Sequence, residues 1–288
     1  MGGNPQFPVL GDLPLIAEAP PRPSFAQRIQ RAHDLSDRYP AAAEVLNFYA
    51  RLAFHQEHVF ESLAKRERED VGPNAEGNWP LLLEHVLPLF SDFARSVSEI
   101  APWKMRERAL NFATSDKARQ KQLLTRFWNG ESAEEATETG SEHFLALGFL
   151  QPYSEWLAQS GHSNRAGKRH ATCPVCASEP ICSVLRDRGH GAGRSLICSL
   201  CMNEWPFLRV ACPACGEERF ESLPVFTPEE IPHLRIDACD TCRHYIKTID
   251  MTKDGLAVPV VDELAAVTLD LWAAEKNYQK LTRNVAGI

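Results

Sequence analysis

Cys173-Pro-Val-Cys176, Cys198-Ser-Leu-Cys201, Cys212-Pro-Ala-Cys215-Gly216 and Cys239-Asp-Thr-Cys242 decide how this chain is read. A Cys-x-x-Cys turn aims two thiolates at one ion while backbone N–H groups beside it donate to the sulfurs. Two such turns complete a tetrahedral S4 site. Gaps of 21 and 23 residues separate the turns within each half, long enough for a hairpin that returns the second turn to the first. The segment also repeats itself. Cys173-Pro-Val-Cys176-Ala-Ser-Glu179 echoes Cys212-Pro-Ala-Cys215-Gly-Glu-Glu218, and Arg194-x-x-x-Cys198-x-x-Cys201 echoes Arg235-x-x-x-Cys239-x-x-Cys242. The repeat favours sequential pairing, with Cys173, Cys176, Cys198 and Cys201 around one ion and Cys212, Cys215, Cys239 and Cys242 around another. A cross-braced arrangement has the same spacing and stays open. Four copies amid strand signals do not fit a thioredoxin-like redox motif, which occurs once, ahead of a helix.

The surrounding composition agrees. All nine cysteines fall between Cys173 and Cys242, and the preceding 172 residues hold none. Short strand patterns occupy this region, at Ile181–Leu185, Arg194–Ile197, Pro206–Val210, Phe220–Phe226, Leu234–Asp237 and Tyr245–Ile249. So small a strand-rich segment has too little core to fold comfortably without staples. Cys182 stands alone on a strand and reads as a small buried hydrophobe. His170, His190, His233 and His244 lie near the cluster, but eight cysteines already fill two sites. Aromatic neighbours Trp205, Phe207, Phe220 and Tyr245 read as core or as shielding for a site.

Upstream the pattern is helical. Pro, Gly and Ala dominate residues 1–22, an irregular arm, and Ser24-Phe-Ala-Gln27 then offers a capping box. Apolar residues recur at helical spacing over 41–65, after an Asn78 cap as far as Ile100 with Pro88 bending the run, and over 115–128 and 141–157. His55 and His58 share a helix face but have no evident third ligand. Residues 160–170 read as a linker. Past the cysteines, Leu264, Val267, Leu271, Ala274, Tyr278 and Leu281 form one apolar seam, predicting a single C-terminal helix over 261–281. The expected fold is therefore an N-terminal helical bundle (1–168), two tandem rubredoxin-like or zinc-ribbon modules (169–210 and 211–256) and a C-terminal helix (257–288).

Several functions are disfavoured. No phosphate loop, nucleophile elbow or His-Glu-x-x-His occurs, and all-cysteine coordination leaves no open metal position for substrate. The net charge is −7, and between Cys173 and Asp250 eight Lys or Arg face eleven Asp or Glu. A ribbon that grips phosphate leans the other way. No apolar run reaches membrane-spanning length and no secretory signal is visible, so the expected location is the cytoplasm. There thiols stay reduced and serve as metal ligands.

The full pattern resembles the formate dehydrogenase accessory protein family, FdhE: a helical half, Cys-Pro-x-Cys, Cys-x-x-Cys-x-x-Glu-Trp (Cys198 to Trp205), Cys-Pro-x-Cys-Gly, Cys-x-x-Cys and a closing helix. The first knuckle departs from the second only in carrying Ala177 where the second has Gly216. The resemblance implies a non-enzymatic cytoplasmic factor needed for active formate dehydrogenase. It also implies contact with that enzyme's catalytic subunit and rubredoxin-like iron in the two sites, with zinc as the alternative. An electron-transfer protein and a zinc-ribbon nucleic-acid binder are the competing readings.

Overall fold

The structure, a computed structural model, describes residues 21–65, 80–131, 139–159, 171–189 and 191–287. The arm, Asn78 itself and the 160–170 linker lie largely or wholly outside them, but residues 80–82 are not helical and the helix expected from Asn78 begins only at Leu83, with Leu82 as its N-cap. Among the described residues six α-helices come first: α1 (Phe25–Arg38), α2 (Ala43–Ala64), α3 (Leu83–Ile100), α4 (Trp103–Thr114), α5 (Lys117–Trp128) and α6 (Thr139–Ala158). The capping box forms as the sequence suggests: Gln27 N donates to Ser24 Oγ at 3.2 Å and Ser24 N to Gln27 Oε1 at 2.9 Å. Pro88 lies inside α3 without ending it.

Helix α6 is the axis of the bundle. Every residue from Phe144 to Ala158 is buried, so tertiary packing holds the helix although Pro152 removes one of its donors. The Phe149 ring meets Phe90 at 5.0 Å and Phe93 at 5.4 Å. Arg28 of α1 forms a buried two-pronged pair with Glu155, at 2.8 and 2.6 Å.

Seven strands follow: β1 (Pro180–Asp187), β2 (Ala192–Cys198), β3 (Glu204–Pro206), β4 (Val225–Phe226), β5 (Leu234–Ala238), β6 (His244–Asp250) and β7 (Gln279–Lys280). They form one sheet in the order β3-β2-β1-β6-β5-β4, with β7 off this path and paired to β6. Each module contributes an antiparallel three-stranded meander, and the two meanders join where β1 runs parallel to β6, Ser183 opposite Thr248. The modules are thus fused edge to edge.

Two expected strands differ from their sequence pattern: the one expected over Pro206–Val210 lies upstream at Glu204–Pro206, and the one expected over Phe220–Phe226 is reduced to Val225–Phe226. The third ends at Pro206, because the Arg194 guanidinium takes the carbonyls of Leu208 (3.3 Å) and Ala211 (2.8 Å) and so holds the following residues in a turn. Residues 220–222 form a 3-10 turn, and Pro224, which has no N–H to donate, delays β4 until Val225.

The C-terminal helical segment differs from a single seam. It consists of α7 (Pro259–Ala265) and α8 (Val267–Glu275), broken at Ala266, and the chain then returns as β7 against β6. Leu271 faces solvent. The break has a polar cause. Fully buried Lys247 on β6 donates to the Glu263 carbonyl at 2.6 Å and contacts the Ala266 carbonyl at 3.4 Å, two groups that a continuous helix would have used itself. The same ammonium pairs with Glu263 at 2.8 Å and Asp270 at 2.7 Å, and Lys280 of β7 pairs with Glu263 as well. Four charges thereby clamp α7, α8 and β7 onto the sheet.

Burial alone would raise the Glu263 carboxyl, but Lys247 and Lys280 hold it at about 2, against an ordinary 4.5. A depressed carboxylate stabilises the fold fully above its unfolded value, and that contribution is lost as pH falls from about 4.5 toward 2. Glu263→Gln, which leaves two buried ammoniums with one carboxylate, is expected to cost about 3–5 kcal/mol near neutral pH. The gap should narrow as acid protonates the wild-type carboxyl. Denaturant midpoints measured across that pH range check both statements, and equal midpoints at neutral pH would exclude the clamp.

Candidate metal centre

The four Cys-x-x-Cys turns are built alike. In each, the first cysteine's N–H donates to the carbonyl five residues on: Cys173 to Ser178, Cys198 to Asn203, Cys212 to Glu217 and Cys239 to His244, all at 2.8–2.9 Å. The residue after the second cysteine has positive φ every time, 63° at Ala177, 56° at Met202, 77° at Gly216 and 60° at Arg243. This left-handed step folds the chain back so that both sulfurs face one point, and only Gly216 takes it without a steric cost.

The turns meet in sequential pairs. Sγ atoms of Cys173, Cys176, Cys198 and Cys201 gather in one group, those of Cys212, Cys215, Cys239 and Cys242 in another, each within 4.8 Å. In the first, Cys173 lies 3.6 Å from Cys201, and Cys176 lies 3.3 Å from Cys198 and 3.5 Å from Cys201. In the second, the pairs Cys212–Cys242 and Cys215–Cys239 are each 3.7 Å apart. A metal–sulfur bond of about 2.3 Å gives a tetrahedron edge of about 3.8 Å, whereas a disulfide closes to about 2.05 Å. All nine cysteines are free thiols.

The donor chemistry suits a cation. Backbone N–H groups approach the sulfurs: Val175 on Cys173 (3.4 Å), Leu200 and Cys201 on Cys198 (both 3.3 Å), and Ala214 on Cys212 (3.4 Å). Burial pushes the Cys198 and Cys201 thiols well up, while hydrogen bonds from Cys173, Cys198 and Cys201 pull Cys176 well down. Such a group cannot release all four protons unless a positive ion enters among the sulfurs. Both groups can hold a metal ion.

Their surroundings differ. Cys173, Cys198 and Cys201 belong to the same core as the helical bundle, with Val175, Leu196 and Trp205. Gln151 of α6 donates to the Ser199 carbonyl inside the second turn (2.9 Å) and accepts from Gln56 of α2 (3.0 Å). The bundle therefore grips the first centre directly. Nothing local in the sequence marks Gln151, since the contact spans 48 residues. In the second centre Cys215 is exposed and Cys242 half-buried.

No described histidine joins either sulfur group. His244 bonds the Cys242 carbonyl at 2.9 Å. His233, Asp254 and Asp262 also converge, but the Arg31 guanidinium already fills that cluster, at 2.6 Å from Asp254 and 2.5 Å from Asp262. His170 and His190 lie outside the described residues. Cys182 is fully buried on the sheet face that α8 covers. Trp205 and Tyr245 are buried as core, whereas Phe220 projects into solvent and shields nothing.

Comparison with known proteins matches this arrangement. Residues 172–209 match the family described as FdhE, central domain, and residues 210–286 match FdhE, C-terminal domain. The protein FdhE homolog of Aquifex aeolicus is 27% identical over 90% of this chain and 94% of its own length. That of Pseudomonas aeruginosa is 25% identical over 97% and 95%. The crystal structure of the FdhE protein from Pseudomonas aeruginosa has the same fold, with a TM-score of 0.72 at 21% identity, covering 92% of this chain and 96% of that one.

The turn geometry yields a paired prediction. Ala177→Gly should stabilise the protein by about 0.5–1 kcal/mol, because relief of a left-handed alanine outweighs the added freedom of the unfolded chain. Gly216→Ala should destabilise by about 1 kcal/mol. Nothing lies within 4 Å of the added methyl, so the backbone angle alone opposes it. Denaturation of variants with equal metal content measures both, and like signs would refute the account.

Proposed function

Because the chain belongs to the FdhE family, we propose that it is a cytoplasmic maturation factor for formate dehydrogenase, without turnover of its own, that binds the enzyme's catalytic subunit. The observation that carries this reading is the pair of all-thiol groups. Each supplies four sulfurs, so an ion held there has its coordination shell filled by protein and offers no site to a substrate. The ligands in this reading are Cys173, Cys176, Cys198 and Cys201 for the first ion and Cys212, Cys215, Cys239 and Cys242 for the second. When bound, the ion cross-links two turns and offsets half or more of the thiolate charge. The residues 1–168 then serve as a helical platform, 169–210 and 211–256 as the two metal modules, and 257–288 as the clamp that closes the sheet. No described helix is long and apolar enough to cross a membrane.

Iron is the ion proposed, on the likeness of the Cys212-Pro-Ala-Cys215-Gly216 knuckle to rubredoxins. Protein made in iron-replete cells should be red and carry about two iron ions per chain. A colourless, zinc-loaded product would overturn the choice of metal and leave the S4 assignment standing. Cys239→Ser should reduce the content to about one ion, retained in the first centre, because the two groups share no sulfur. Loss of both would argue against independent centres.

The role itself is tested in a host lacking this protein. Such cells should make the formate dehydrogenase polypeptide but little active enzyme, and the wild-type chain should restore activity. A Cys198→Ser/Cys201→Ser variant should fail to restore it, since loss of an ion unfolds a small metal module. Full rescue by that variant at wild-type abundance would exclude any need for the first centre. Formate oxidation by the purified chain alone would exclude an accessory role.

A further inference from the structure

Beside the second centre a groove runs between the sheet and the segment that carries Cys212. Its lining brings together Arg194, Arg209 and Arg235 with a single acidic residue, Asp237. The arginines come from different elements. Arg194 (β2) and Arg235 (β5) occupy equivalent positions in the two repeats, and the parallel junction of the modules turns them toward the same carboxylate. Asp237 lies 3.3 Å from Arg194 Nη2 and 2.8 Å from Arg235 Nε, and it also accepts from Thr248 Oγ1 at 2.8 Å. One carboxylate thus serves two guanidiniums. Exposed Arg209 donates to the Ala192 carbonyl and faces no carboxylate among the described residues.

The rim of the groove is apolar. Phe220 is 75% exposed, Val225 50% and Val210 43%, and all three line it. Val225 also belongs to β4, the last strand in the sheet order, whose outer edge pairs with no strand among the described residues. A small oxyanion would satisfy the guanidiniums and leave these side chains in water. An extended polypeptide with alternating carboxylate and aliphatic side chains satisfies both, because successive side chains of a strand point to opposite sides and an open edge accepts backbone hydrogen bonds.

We propose that this groove is the docking site for an extended, acidic and aliphatic segment of the partner polypeptide, its carboxylates on Arg209 and Arg235 and its apolar side chains on Phe220 and Val225. The proposal rests on the reading of the protein as a maturation factor that binds a client chain. It places the client next to the exposed second centre and away from the bundle-gripped first one.

Two measurements on the full-length, metal-loaded protein test it. The first is capture of the formate dehydrogenase catalytic subunit by wild type, Arg209→Glu, Phe220→Asp and, as a control outside the groove, Leu271→Asp, with metal content verified for each. Both groove variants should lose about tenfold or more in affinity and the control should not. Capture by wild type that the groove variants leave unchanged overturns the docking site and spares the functional reading. Absence of capture by wild type counts against that reading instead, and the groove is then judged by the second measurement. This is fluorescence anisotropy with a short labelled peptide in which Asp and Glu alternate with Leu and Val, against its counterpart with Lys for every acid. The acidic peptide should bind wild type, bind Arg209→Glu about tenfold more weakly, and resist inorganic phosphate at matched ionic strength. Displacement by phosphate would make the groove a small-anion site and overturn the peptide proposal. So would equal binding of both peptides, or of neither.

Discussion

Four thiols packed within contact distance, out of water in the first group and partly so in the second, impose the constraint on which the cysteine-rich half depends. Removing their protons without a compensating cation would collect like charges in a medium that screens them poorly. The turns answer this in two ways. Each spends a left-handed residue to fold the chain tightly, and each aims backbone N–H groups at sulfur. A positive ion supplies the rest. The same arrangement explains why the six short strands of the two modules, β1 to β6, too few to bury a large core alone, take an ordered place in the sheet.

The second device is a buried set of charges remote from the sulfurs. Lys247, Glu263, Asp270 and Lys280 come from β6, α7, α8 and β7. Tyr245 and Asn284 add hydrogen bonds, to Asp270 at 2.7 Å and to Glu263 at 3.0 Å. Burying such a set is costly unless it is nearly complete, and here each charge has an opposite partner. Its effect is on register. It breaks the C-terminal helix at Ala266 and sends the chain back along β6, where β7 takes the stretch of edge that β1 leaves free. Arg28 with Glu155 and Arg31 with Asp262 act similarly between α1 and its neighbours, so charged pairs, together with apolar contacts, dock the helical half onto itself and onto the C-terminal segment.

The two sulfur groups then lie in unlike places although their turns are nearly superposable in hydrogen bonding. The first is part of the bundle's core and is tied to α6 through Gln151. The second sits at the surface beside the arginine-lined groove. A duplicated module has in this way acquired two environments, one set by packing against the helices and the other left open.

Much of this was legible in the chain itself, for reasons that are local. Cysteine spacing, the repeat around Arg194 and Arg235, the Ser24 capping box and the 3.6-residue periodicity of the helical half all act over a few residues, where the geometry of one turn or one helix face is decisive. The repeat favoured sequential pairing, and the gathering of the sulfurs in the fold is what separates it from a cross-braced one. What needed the tertiary structure was every contact made across long sequence separations. The parallel β1–β6 junction, the grip of Gln151 on Ser199, the capture of the Leu208 and Ala211 carbonyls by Arg194 and the helix break under Lys247 all pair groups that no local pattern links. An apolar seam from Leu264 to Leu281 is a sound reason to expect one helix. It yields because a buried ammonium must have its acceptors, and in the folded core those acceptors are the carbonyls that an unbroken helix would have kept.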